Sequence, residues 1–164
     1  MIKVFSYEYL NTLTEQAESS IRLRQFCNIH QNYDERCQRL FNAIEPGSYI
    51  QPHRHISDPK DEMLVAIRGL MAVVCFDDLG EVINITHIGS EASDYNVAVG
   101  LEIPSSVWHT VVVLQPGSIL LEIKAGPFDP GQPKDLASWA PAENSTKSKS
   151  YLRQLLLKCA INPD

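Results

Sequence analysis

Apolar residues recur at two different periods along this chain, and the change between them divides it into three stretches. In the first, Leu10, Leu13, Ala17 and Ile21 stand three or four positions apart. That spacing predicts a short amphipathic helix from Asn11 to about Arg24, with Thr14 as N-cap and Glu15 and Glu18 in its opening turns. From about Gln38 to Gly126 the helical period gives way to short apolar runs at 39–44, 49–55, 63–68, 70–76, 82–88, 95–101, 108–114 and 119–124. Turn formers separate them, among them Pro46-Gly47, Asp77-Asp78-Leu79-Gly80 and Gln115-Pro116-Gly117. Many short, evenly punctuated strands predict an all-β antiparallel sandwich or barrel rather than βαβ units. Gly80 is expected to take positive φ in a hairpin turn. The third stretch opens on the rigid connection Gly126-Pro127-Phe128-Asp129-Pro130-Gly131, and Leu152, Leu155 and Leu156 predict a short helix over 151–158. The organisation expected is one domain: an N-terminal helical segment packed on the barrel (1–37), the barrel (38–126), and a C-terminal arm with a short helix (127–164).

Composition narrows the function classes. A chain of 164 residues that is 44% hydrophobic can bury one full core. Its formal net charge of -6 argues against a nucleic-acid face built on phosphate contacts, and equally against polybasic membrane attachment. No run approaches the roughly 20 apolar residues of a membrane span. The four cysteines (Cys27, Cys37, Cys75, Cys159) contain no C-x-x-C pair, so zinc-ribbon and thioredoxin readings fail. Cys75 lies in an apolar run and packs as a small hydrophobe. The N-terminus has no long apolar signal region, and a cytoplasmic setting is expected.

Chemistry gathers around the histidines. In Pro52-His53-Arg54-His55, on a predicted strand, His53 and His55 face the same side. Glu62 opens the next strand after a turn over 56–61, so a hairpin returns its carboxylate beside the two imidazoles. Its companions Leu64 and Ala66 are apolar, which puts Glu62 on an inward face, where a lone carboxylate needs a partner or a cation. His109 sits in the apolar strand Val107-Trp108-His109-Thr110-Val111-Val112-Val113. Alone it would read as a hydrogen-bonded core histidine; beside three other donors it reads as a ligand. Three neutral imidazoles and one carboxylate suit a single divalent transition metal (Fe, Mn, Co, Ni or Zn) and leave positions for water or substrate.

Gly47, His53-Arg54-His55, Glu62 and Gly69 together resemble the first cupin motif, with a longer gap between His55 and Glu62 than the family's usual spacing. Gly100, Pro104 and His109 resemble the second, with Ser106 in place of a glycine and Val113 in place of an asparagine. The runs at 38–49, 52–55, 121–128 and 138–143 are similar to the WbuC-type cupin-fold metalloproteins, a small bacterial group often found among surface-polysaccharide gene clusters. The resemblance implies a cupin jelly-roll β-barrel, a bound metal and a small-molecule ligand, and cupin pairing through an outer sheet face implies a homodimer.

The same cavity has further candidates. Glu122, inside Ile119-Leu120-Leu121-Glu122-Ile123, is either a general base or ligand-orienting carboxylate near the metal, or an edge charge paired with Lys124. Tyr49 and Gln51 alternate onto the face of His53 and His55 and are expected to line the cavity. Arg39 is the candidate for an anionic substrate group, whereas Arg54, Lys60 and Arg68 read as solvated strand charges. Trp108 and Trp139 read as packing residues. Three function classes follow: a metal-dependent isomerase or oxygenase acting on a small polar or sugar-derived substrate, a non-catalytic binding cupin whose metal organises a pocket, and a metal-independent sugar-nucleotide epimerase.

Overall fold

The structure, a computed structural model, describes residues 2–91, 96–131 and 134–160. Alternating burial carries the central stretch into strands. In β2 (Cys37–Ile44) Gln38 and Ile44 turn inward while Phe41 and Ala43 turn out; in β4 (Glu62–Arg68) Glu62, Leu64 and Ala66 turn inward. The remaining strands are β1 (Arg24–Asn28), β3 (His53–Arg54), β5 (Leu70–Phe76), β6 (Val82–Gly89), β7 (Val97–Ala98), β8 (Gly100–Ile103), β9 (Trp108–Val113), β10 (Ser118–Ala125) and β11 (Asp135–Leu136), with helices α1 (Tyr7–Ser19) and α2 (Ser148–Lys158). They form a five-stranded sheet, β1-β2-β10-β4-β8, and a six-stranded sheet, β11-β3-β9-β5-β6-β7.

Apolar clusters fill the layers. Between the sheets lie Ile44, Leu64, Met71, Val73, Ile88, Val111, Val113 and Leu120. Outside the five-stranded sheet, Leu10, Leu13 and Ala17 of α1 cover Phe41, Ala43 and Ile119. Outside the six-stranded sheet, Leu152 and Leu155 of α2 cover Ala72, Val74, Phe76 and Val112. The arrangement is helix, sheet, sheet, helix. Gly80 closes the β5–β6 turn at φ +87°, and a Cβ there would meet the Trp139 ring at 2.6 Å. Glycine is required at this position twice over, by backbone and by packing.

Three expectations from the sequence are corrected. The first helix begins at Ser6, whose hydroxyl accepts from Tyr9 N, and ends before Ile21, which is exposed. Thr14 lies buried within it, its hydroxyl donating to the Asn11 carbonyl, and does not cap it. Arg24–Asn28 forms an edge strand in register with β2, Arg24 opposite Ile44. It carries no apolar alternation, and its pairing with β2 makes it. Finally, β3 and β4 are not a hairpin: they belong to different sheets, so the chain over 56–61 crosses the sandwich. Tyr95 in the predicted 95–101 run lies outside the described residues.

Candidate metal centre

Inward positions are apolar toward one end of the barrel and polar toward the other. On β4 they run Leu64 then Glu62, on β9 Val111 then His109, on β10 Leu120 then Glu122 and Lys124. Strand register brings the polar members together: His53 stands opposite His109 and Lys124 opposite Glu62. One donor atom from each of His53, His55, Glu62 and His109 lies within 4.8 Å of the others. Glu62 is 4% exposed and His109 2%. The 56–61 crossover is pinned where it joins them, since His55 N donates to the Ser105 carbonyl and Ser105 N to Asp61.

Hydrogen bonds fix the imidazoles for ligation. His53 Nδ1 lies 3.0 Å from the Gln51 carbonyl and His109 Nδ1 2.9 Å from that of Val107. A carbonyl only accepts, so both rings donate from Nδ1 and turn Nε2 toward the cavity. Burial, reinforced by Lys134 and His109, holds His53 well below the usual imidazole range, so the ring is neutral at pH 7. His109 Nε2 then faces Glu62 Oε2 at 3.4 Å, and His55 Nε2 faces Oε1 at 3.0 Å. His55 Nε2 is buried and makes no hydrogen bond. Three imidazoles and one carboxylate, buried and converging in this way, are the ordinary donors of a divalent cation. The residues fit a metal.

A charged chain supports the carboxylate. Lys124 Nζ donates to Glu62 Oε1 at 2.9 Å and lies 3.1 Å from Glu122 Oε1. Burial alone would raise Glu62; contacts with His109 and His55 and the charge of Lys124 overturn it and hold the carboxyl well below its ordinary value. Burial and the charge of Glu62 push Glu122 up. Burial would lower Lys124, but Glu122 and Glu62 prevail and raise it.

The donors border two adjoining lobes of about 610 and 290 Å³ that share Phe26, Asn42, His53, Glu62, Glu122 and Lys134. Of the other sequence candidates, Glu122 lines both lobes and is also paired with Lys124. Tyr49, Gln51 and Arg39 do not line them. Tyr49 packs against Tyr151 and donates to the Pro141 carbonyl at 2.7 Å; Gln51 donates to the Ala137 carbonyl at 3.0 Å. The alternation that assigned them presumed a strand over 49–55, and only His53–Arg54 pairs as one. Arg39 is held by Glu35 at 2.7 Å. Sequence reasoning named Lys124 only as a partner of Glu122, a pairing that is present at 3.1 Å, and missed its contact with Glu62. It also missed Asn42, Arg24 and Lys134; the last lies in an irregular, proline-flanked segment that offers no periodic signal.

A family model described as "Domain of unknown function (DUF6016)" matches residues 5–88, just over half of the chain. The chain belongs to the DUF6016 family. The matched region carries His53, His55 and Glu62, while His109 comes from beyond it. No curated protein matches the sequence. Among solved structures, protein SO0799 from Shewanella oneidensis is 12% identical over 85% of this chain and 87% of its own, with a TM-score of 0.56. Oxalate decarboxylase from Bacillus subtilis, a protein with Mn(II) centres, is 17% identical over 69% of this chain, with a TM-score of 0.50. This chain spans 27% of that enzyme's length. KdgF from Halomonas sp. is 16% identical over 63% of this chain and 80% of its own, with a TM-score of 0.45. The DUF6016 chain is thus an all-β cupin jelly roll, flanked by α1 and α2. Among the described residues, no helix is long and apolar enough to cross a membrane.

Proposed function

We propose that this chain is a WbuC-type cupin that holds one divalent transition metal at His53, His55, Glu62 and His109 and acts on a small polar ligand in the adjoining cavity. The observation that carries this reading is the buried convergence of His53, His55, Glu62 and His109, with one donor atom of each within 4.8 Å of the others. The Mn(II) centres of the structurally similar oxalate decarboxylase support a divalent ion. When bound, the ion supplies Lewis-acid polarisation of a ligand oxygen and a fixed point for its orientation. The chain's own residues do the rest. The Gln51 and Val107 carbonyls orient His53 and His109, and Lys124 holds Glu62 through Oε1. In this reading Glu122, which lines both lobes beside Glu62, takes or returns a proton of the ligand.

Elemental analysis of protein purified without chelator tests this. About one transition-metal equivalent per chain is expected, lost in the His53→Ala/His109→Ala double variant. A double variant that keeps the same metal content overturns the assignment.

A further inference from the structure

Lys134 is the cation of the cavity that the metal site leaves unused. It lines both lobes, and among the described residues it makes no hydrogen bond or ion pair. The carboxylates that act on it at longer range, Glu143, Glu122 and Glu62, are already engaged. Glu143 takes Arg22 at 2.8 Å and Arg24 at 2.6 Å; Glu62 and Glu122 share Lys124. Three carboxylates thus meet three cations, Arg22, Arg24 and Lys124, and Lys134 is the cation left over. An excess of cations here, in a chain of net charge -6, is a local arrangement rather than a compositional accident.

The backbone bearing Lys134 is fixed. The following residues, Asp135 and Leu136, pair with Arg54 and His53. Asp135 accepts from Ser57 N at 3.0 Å and Ser57 Oγ at 2.5 Å, and Ala137 N donates to the Pro52 carbonyl. Burial lowers the Lys134 ammonium despite the distant carboxylates, as expected of a poorly hydrated cation without a partner. A second vacancy in hydrogen bonding lies on the shared wall: Asn42 Oδ1 is buried and unpartnered. Such a pair of groups awaits a polar ligand.

We propose that Lys134 anchors the carboxylate or phosphate group of a small polar ligand held beside the four-donor cluster. This deepens the proposed function and rests on it for the ligand's place next to the donors, though not for the anion contact itself. Calorimetric titration of the full chain, metal-free and zinc-loaded, with malate, glycerol 3-phosphate and uncharged glycerol, tests it. Wild-type protein is expected to bind one of the two anions and to discriminate against glycerol; the preferred anion identifies carboxylate or phosphate. Lys134→Met is expected to weaken that anion about tenfold or more, ~1.4 kcal/mol, with thermal midpoint and metal content unchanged. Lys134→Arg is expected to retain most of the affinity. Equal affinity in Lys134→Met, or no anion binding by wild type in either metal state, overturns the proposal. Lys134-dependent anion binding by a protein that takes up no metal refutes the metal reading alone and leaves this contact standing.

Discussion

Lys124 sits between two carboxylates, 2.9 Å from Glu62 and 3.1 Å from Glu122, and is the one ammonium the two share. Removing it leaves two buried acids facing one another, which is costlier than the pairing was worth. Lys124→Met is therefore expected to lower stability by roughly 3–5 kcal/mol at pH 7, read as a drop in chemical-denaturation midpoint. Adding Glu122→Leu should recover part of the loss, because one of the two stranded charges is gone. No recovery would show that Lys124 acts through packing alone. At this scale the convergence of the four donors was legible in the sequence, since three imidazoles and a carboxylate on inward positions suit a cation even where each alone reads as a core residue. Lys134 and Asn42 were not. A lysine next to Pro133 and an asparagine amid a mixed strand look solvated until the fold encloses them.

Among the elements, α2 and α1 do different work from the barrel they cover. Leu155, 3% exposed, packs with Leu152 on the outer face of the six-stranded sheet, one layer away from the donors. Leu155→Ala should cost about 2–5 kcal/mol in thermal or denaturant unfolding while metal stoichiometry stays unchanged; joint loss of both would place α2 within the site's support. The two helices and most barrel strands follow from spacing, because each buries one face. β1 and β11 do not. Arg24–Asn28 and Asp135–Leu136 owe their strand character to partners at Ile44 to Leu40 and at His53–Arg54, contacts that no local pattern encodes. The same failure separated β3 from β4. A turn-rich segment of six residues reads as a hairpin loop whether it stays in one sheet or crosses to the other.

For the molecule as a whole, Glu143 joins its two ends. It binds Arg22 and Arg24 from more than a hundred positions away and ties the C-terminal arm to the first strand. Burial would raise its carboxyl, but Arg24, then Arg22, hold it below its ordinary value of 4.5. A folded-state value below the unfolded one contributes stability that is fully present above the ordinary range and lost as pH falls through the folded value. Glu143→Gln should therefore lower the thermal midpoint at pH 7, by roughly 1–3 kcal/mol of stability, with the difference from wild type shrinking below about pH 4. A gap that persists undiminished in acid would mean that shape rather than charge makes the tie.

The donor set has a mechanical side as well. His53 and His109 stand on one sheet and Glu62 on the other, so an ion bound among them rivets the two leaves of the sandwich at its polar end. Amide hydrogen exchange should register this. Stripping the ion is expected to speed exchange along β3, β4 and β9 near the donors and to leave the packed middle of β5 slow.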